Sequence, residues 1–568
     1  MTTKSNQSKR DLLEWRSITF GLLLALTGFA SAANATYSIP ASRSVTWEGN
    51  VGVKGDIPTR TTIYKTLSPS GGDDTSTVQT AISGCPSGQV VKLNAGTFNI
   101  SSPINVKSGV TLRGAGMGST IIKGISGMSG AYVIGFNAGS SLGSSIDITA
   151  GSSKGSSTIT TASTHGWKVG DIILIDQLND SGGNPVVTNV GSNGTCTWCG
   201  RSSGSRSLGQ VSKVVAVPSS TTATLEVPLY WNYTSGKSVQ GTKINGLTLS
   251  AGIEHLTVDN LLSGSSRQAS DGATIAAYGT SNCWLLGVEA IGSYTNMVRM
   301  KRSYRDTIRG CKFHEGVPAL PATGSQYNTS RAYGMYMSPA SACLVENTQI
   351  YHLTMATKLD GPASGNVFAY NTVAAMYYAP SATWQVDNFR MHGGHPMMNL
   401  FEGNVLLGRT IADVVWGSSS HNTYFRNRNA LDPDRTSSAY NYALYKHASY
   451  YNIIGNVIGT AGFENAYSVN IGSSLKAVYA FDSTVLTTTQ HGNWDSVTNS
   501  ITWNSADDRT LPASLYLSGK PNWWGSMQWP AIGPDVSPMF PPAKGLGTGT
   551  PWGSATKWLS PPTSLKVQ

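Results

Sequence analysis

The second half of the chain repeats a short pattern at uneven intervals, and this repeat restricts the fold more than any other feature. Seven segments align without gaps around Gly287, Gly310, Asn347, Asn371, Asn404, Asn427 and Asn456, as in Thr307-Ile-Arg-Gly310-Cys-Lys-Phe313 and Phe401-Glu-Gly-Asn404-Val-Leu-Leu407. The marker is Gly or Asn every time, the residue types that best tolerate the left-handed backbone of a sharp bend. Successive markers are 23, 37, 24, 33, 23 and 29 residues apart. A unit of about 20–30 residues, made of short strands and bends, predicts a β-solenoid, with the Asn markers stacked as a ladder inside successive coils. The two longest gaps hold residues 314–340 and 375–398, expected as loops on the wall of the coil beside its binding face.

The composition agrees. The 568 residues include 63 Gly and only 12% charged residues, which suits short strands and many turns. At the N-terminus Lys4, Lys9 and Arg10 precede the apolar run from Ile18 to Leu26, and small residues follow at Ala30-Ser31-Ala32 and Ala33-Asn34-Ala35. This reads as a signal peptide over residues 1–35, with an apolar run too short to span a bilayer comfortably. The expectation is a secreted or periplasmic monomer without stable membrane insertion. The formal charge is +10. It suits an acidic polymer as partner, with scattered surface charge as the alternative. No compact Lys/Arg cluster is interleaved with aromatics, which argues against nucleic acid.

Six cysteines are present, at 85, 196, 199, 283, 311 and 343. Cys196-Thr-Trp-Cys199 has no second ligand pair at zinc spacing, so it reads as an oxidised loop staple, or otherwise a free pair. Cys311 falls on an inward position and is expected as buried filler.

Residues 66–125 carry a family signature. Gly72-Asp-Asp-Thr75 leads into a short helical pattern at Val78–Ile82, followed by Ala95-Gly-Thr-Phe98 and Leu112-Arg-Gly-Ala-Gly116. This resembles the opening of the pectate-lyase-like superfamily: a D-D-T start, a capping helix, an A-G-x-F corner and an L-x-G-x-G turn. The resemblance implies an all-β, right-handed parallel β-helix in an exported protein that acts on polysaccharide. It does not specify one reaction. The expected organisation is an N-terminal segment and cap over 36–84, the β-helix over 85–460, a small antiparallel β insertion at 140–245 carrying the Cys pair, and a C-terminal cap and tail over 461–568.

Strand alternation assigns faces to the wall. Counting back from each marker places Arg299, Tyr336, Asp360, Gly393, Trp416 and Tyr445 on one outward column, and Lys358 two residues before Asp360. Lys301, His395 and His447 follow the column, and His392 falls on the inward column between. Aromatic faces that stack on sugar rings, together with cations that hold carboxylates, predict a glycan groove. The same count puts Glu402 and Arg428 in inward slots of adjacent coils, where an ion pair is expected.

The groove is rich in cations and poor in acids, which favours a polysaccharide lyase acting on a uronate glycan. Such an enzyme needs a base, a group that protonates the leaving oxygen, and a cation on the carboxylate. The candidate catalytic residues are Lys358 or His395 as base, Tyr336 as acid and Asp360 to orient Lys358 or hold Ca²⁺. Arg299, Lys301, His392, Trp416, Tyr445 and His447 are the candidate substrate-binding residues. The alternatives are a glycoside hydrolase using Asp360 with Asp387 or Asp413, and a non-catalytic glycan-binding surface protein. The W-x-D-H and R-x-P-x-x-R motifs of pectate lyases and the N-x-D, D-D, G-H-G and R-x-K set of polygalacturonases are absent, so no catalytic residue is carried over from a family.

Overall fold

A computed structural model describes residues 36–137, 139–183, 185–261, 272–316, 332–378, 380–505, 508–537 and 539. Two long sheets run the length of the molecule, one of 22 strands and one of 14. The first holds the repeat. The second holds the predicted wall strands Asn296–Tyr304, Tyr333–Met337, Met355–Leu359, Asp387–Gly393, Arg409–Trp416 and Tyr440–Leu444. Each wall strand pairs in parallel with its counterpart one coil later. Parallel pairing begins at Ile63–Leu67 and continues to Asn493–Asp495, so the coil runs past both of its expected ends.

The core lies between the sheets because alternate residues of both point inward. Ile308, Phe313, Phe368, Phe401 and Tyr424 of the repeat meet Val298, Met335, Leu359, Phe389 and Met391 of the wall. The rings of Phe368, Phe401 and Tyr424 stack along the axis at 5.1 and 5.0 Å. Cys311 is buried in this core, and helix Thr75–Gly84 closes the N-terminal end with Val78, Ala81 and Ile82.

The ladder forms, with one correction. The side-chain carbonyls of Asn404, Asn427 and Asn456 accept the backbone N–H of Asn371, Asn404 and Asn427 at 2.9, 3.0 and 2.9 Å. Asn493 continues the ladder by accepting from Asn456 at 2.9 Å, and Thr348 opens it by donating its backbone N–H to Asn371 at 3.0 Å. Asn347 is not a rung. It sits one residue earlier, at the left-handed bend shared with Gly287 and Gly310, with φ of 50°, 60° and 64°. The bend and the rung are adjacent positions that both favour Gly or Asn, and the repeat merged them. A second ladder, through Asn366, Asn399 and Asn422, was not anticipated.

That one-residue offset removes the expected Glu402–Arg428 pair, because a slip of one reverses every face. Phe401 points into the core, so Glu402 and Leu400 point outward. Glu402 accepts from the Tyr370 hydroxyl at 3.0 Å and the Leu515 N–H at 2.9 Å, while Arg428 donates to the Asn429 carbonyl at 3.0 Å. Glu402 is nonetheless buried. Residues expected to cap the end of the coil run along its side instead: Leu511, Tyr516, Trp524 and Ile532, together with Trp47, pack on Leu344, Val367, Leu400, Phe425 and Ile454. Arg426–Asp535 at 2.6 Å and the Tyr516 hydroxyl on Glu346 at 2.9 Å fasten this strap.

Residues 141–245 form a closed antiparallel barrel of six strands. Leu208, Val211 and Tyr230 of the barrel share a core with Tyr304, Ala342, Met397 and Met398 of the coil, so the barrel is seated on the helix wall. Cys196 and Cys199 are disulfide-bonded. The expected signal peptide, the C-terminal tail beyond 539 and residues 317–331 of the first predicted loop lie outside the described residues. Among the described residues, no helix is long and apolar enough to cross a membrane.

Candidate functional site

In the 14-stranded sheet Arg299 pairs with Tyr336, Tyr336 with Lys358, and Lys358 with Arg390. Two residues on, the same register sets Lys301, Ser338, Asp360, His392 and Asp413 side by side on the outward face. The expected column therefore holds for Arg299 and Tyr336 only. Beyond them it slips: by two residues at Asp360, which leaves Lys358 and Asp360 outward, and by three at Gly393, which turns His392, expected inward, outward as well.

Above these residues lies a cleft of about 470 Å³ between the helix wall and the barrel. The wall contributes Arg299, Lys301, Arg302, Tyr333, Tyr336, Lys358, His392 and Trp416, and the barrel contributes Leu142, Leu174, Trp198 and Arg201. Six of the candidate residues thus share one cleft. Asp360 lies beneath it, fully buried. Its Oδ2 accepts from the Tyr336 hydroxyl at 2.6 Å and the Trp198 indole N–H at 3.1 Å, and stands 3.4 Å from Lys358 Nζ. The Tyr336 ring is flanked by cations, with Arg299 Cζ 3.7 Å and Lys358 Nζ 4.2 Å from its centroid.

Burial is the largest influence on Lys358 and lowers its pKa; Asp360 opposes this, while Arg299 and Arg390 add to it, and the net shift is downward. A lowered lysine is closer to the neutral amine that can take a proton. Burial alone would raise Asp360, but Lys358, then His392, Tyr336 and Trp198, outweigh it and hold the carboxylate below its ordinary range. Asp413 is likewise raised by burial and lowered more by Arg390 and His392. Its Oδ2 lies 2.8 Å from His392 Nδ1, which orients the ring and leaves Nε2 as the basic position.

Three candidates fall elsewhere. His395 is fully buried beneath the barrel, with Nδ1 and Nε2 each 2.8 Å from a hydroxyl, of Ser418 and Ser420. Burial pushes it down to about 3, which leaves a neutral packing residue rather than a base. Tyr445 packs farther along the sheet against the cluster of Ile411, Tyr440 and Ala443, and neither it nor His447 lines the cleft. Tyr445 stands two residues past Ala443, which pairs through Ile411 and Arg390 with Lys358, so it keeps the offset of Asp360 but lies three strands beyond it.

The carboxylates are all engaged. Asp387 is buried against Arg390, at 2.8 Å, and Arg409; Asp413 is held by Arg390 and His392. The hydrolase pairing of Asp360 with either one therefore finds each acid on a cation instead of facing its partner across the cleft. Among the described residues, no group of three or more His, Cys, Asp or Glu side chains is placed to hold a metal ion. Asp360 also faces two hydrogen-bond donors and an ammonium, a setting that does not fit Ca²⁺.

The sequence reading missed Trp198, Arg201, Arg302, Tyr333 and Arg390. Only Trp198 carried a signal, since the Cys196–Cys199 staple brackets it.

Residues 70–174 match the family described as "Rhamnogalacturonase A/epimerase, pectate lyase-like". Together with the parallel coil, that match decides the fold. It is a pectate-lyase-like β-helix. No curated protein matches the chain. Among solved structures, this β-helix is similar to the tailspike protein gp49 of Pseudomonas phage LKA1, at 15% identity over 74% of each chain and a TM-score of 0.46. It is similar to the Gp54 tailspike of Acinetobacter baumannii bacteriophage AP22, solved in complex with A. baumannii capsular saccharide, at 11% identity over 75% of this chain and 69% of that one, TM-score 0.43. It is also similar to the A-module of the Azotobacter vinelandii mannuronan C-5 epimerase AlgE4, at 12% identity over 76% of this chain and 96% of that module, TM-score 0.35.

Proposed function

We propose that the protein is an exported polysaccharide lyase that cleaves a uronate-containing glycan by β-elimination. The observation that carries this reading is the cleft lining: among the described residues Arg201, Arg299, Lys301, Arg302 and Lys358 line it, and no carboxylate does. A β-helix cleft of that charge suits an acidic chain, and Trp198 and Trp416 offer faces for sugar rings.

In this mechanism Arg299 and Lys301 hold the uronate carboxylate and stabilise the charge that builds as the adjacent carbon loses its proton. Lys358, lowered by burial, takes that proton. The electron pair forms the carbon–carbon double bond and expels the glycosidic oxygen, which receives a proton from the Tyr336 hydroxyl. One product carries an unsaturated uronate end and the other a new reducing end. Asp360 and Asp413 orient Lys358 and His392.

The test is incubation with a panel of uronate and neutral polysaccharides, with ultraviolet absorbance reporting unsaturated ends and a reducing-end assay reporting all cleavage. Absorbance on a uronate polymer, lost in Lys358→Ala, is the expected result. Reducing ends without absorbance would mean hydrolysis. Binding without cleavage would mean a glycan-binding protein.

A further inference from the structure

The barrel sends one side chain to the acid beneath the cleft. Trp198 donates to the same Asp360 oxygen, Oδ2, that accepts from Tyr336 and lies beside Lys358. The other oxygen, Oδ1, is buried with no hydrogen-bond partner among the described residues. Every contact of this carboxylate is therefore gathered on one atom, where the lysine ammonium shares it with two neutral donors.

The loop that carries Trp198 is fixed independently of that contact. The disulfide closes the loop on either side of Trp198. Cys199 lies flush on the wall, so that a Cβ at Gly393 would stand 2.5 Å from its sulfur. Arg201 binds both oxygens of the buried Asp176, at 2.6 and 2.7 Å. Just before the loop, Ser192 and Asn193 donate backbone N–H groups to the carbonyls of Val414 and Val415 at 2.8 and 3.1 Å. The Trp198 ring meets Trp416 edge-on at 4.9 Å.

We propose that Trp198 is a positioning residue for Lys358: it fixes the Asp360 carboxylate that the lysine contacts, and the Cys196–Cys199 disulfide keeps it in place. The relevance to turnover rests on the lyase reading; the coupling itself does not. The groups that face Lys358 are Asp360 just past the end of its own strand, Arg299, Tyr333 and Tyr336 on the preceding strands, and Arg390 and His392 on the following one. Asp360 is the anion among them. A carboxylate oxygen that loses a neutral donor presents more charge to its remaining partners, so removing the indole N–H tightens the hold of Lys358 on its proton.

The experiment uses Trp198→Phe, which keeps a ring and deletes the N–H, and the Cys196→Ser/Cys199→Ser double variant. Lys358 is titrated directly in full-length protein carrying ¹⁵N-lysine, with its signal assigned by Lys358→Arg. The expected result is an upward shift of roughly half a pH unit or more in both variants. On a cleavable uronate polymer, the acid limb of the kcat profile should move the same way. An unmoved Lys358 titration in Trp198→Phe overturns the proposal, including when KM alone changes, because Trp198 would then only contact substrate. A shift in Trp198→Phe but not in the double variant overturns the part assigned to the disulfide. The titration needs no substrate. Failure to find an unsaturated product would therefore remove the lyase reading without deciding the coupling.

Discussion

The two outer faces of the coil each bury outward-pointing carboxylates, and Glu402 on one is held in the opposite way from Asp360 and Asp413 on the other. On the 22-stranded face Tyr370 of the coil and Leu515 and apolar side chains of the terminal strap cover Glu402, and burial pushes it up to about 7. On the 14-stranded face Asp360 and Asp413 are as deeply buried, yet cations hold them below the ordinary carboxylate range. Neutral donors suffice at Glu402, although the same strap also covers Glu346, which is paired with Arg309 at 2.5 Å. Keeping a buried carboxylate ionised takes a paired cation. The 22-stranded face has ion pairs of its own, Arg309 with Glu346 and Arg113 with Glu254, both at 2.5 Å, so what sets the 14-stranded face apart is that its charged network opens on a cleft, where chemistry is expected.

The largest expected effect is on that face. Lys358→Ala should lower kcat on a uronate polymer by about 10²- to 10⁴-fold, read as unsaturated product, and should also lower the unfolding temperature, because it leaves buried Asp360 without its cation. If turnover survives, the open face is a binding surface and its contrast with the strapped face is only one of packing. Next, Asp413→Ala leaves Arg390 and His392 without their shared anion and should cost about 3–5 kcal/mol in denaturant unfolding. A smaller cost would mean that water reaches those groups.

Asn404→Ala tests what the two faces share. Asn404 bonds to both neighbouring rungs, and its loss should destabilise the protein by about 1–3 kcal/mol with no effect on the cleft. The smallest effects are slopes of stability against pH. The folded pKa of Glu402, about 7, lies above its ordinary 4.5, so the folded state binds the extra proton. Its contribution is full below pH 4.5 and is lost as pH rises through 7. His395 is pushed from 6.5 to about 3, so its contribution is present above pH 6.5 and lost as pH falls toward 3. Between pH 4.5 and 6.5 the two slopes oppose each other. Glu402→Gln should leave stability rising with pH in that window, and His395→Gln should leave it falling; chemical unfolding at several pH values reads both. Equal slopes in the two variants would erase the distinction between the faces.

Much of the coil was legible because its signals are local. The bends at Gly287 and Gly310, the rungs from Asn371 to Asn456 and the inward Ile308, Cys311 and Phe313 follow from backbone preference and two-residue alternation. The site was legible in residue type and only partly in position. Arg299, Lys301, Tyr336, Lys358, His392 and Trp416 do share a cleft. His395, Tyr445 and His447 do not: a count from a marker gives a face and a coil but not where along the coil the barrel sits, so His395 is covered by it and Tyr445 lies beyond it.

The sequence by itself determined that this chain winds into a parallel coil, since the repeat, the Asn rungs and the helix at Thr75–Gly84 each act over a few residues or between identical neighbours. Only the tertiary structure decided what covers each face. Trp198 reaches Asp360 across 162 positions and Leu515 reaches Glu402 across 113. Such contacts depend on where a barrel and a strap dock as whole bodies, and docking is set by the summed fit of many side chains rather than by any spacing along the chain.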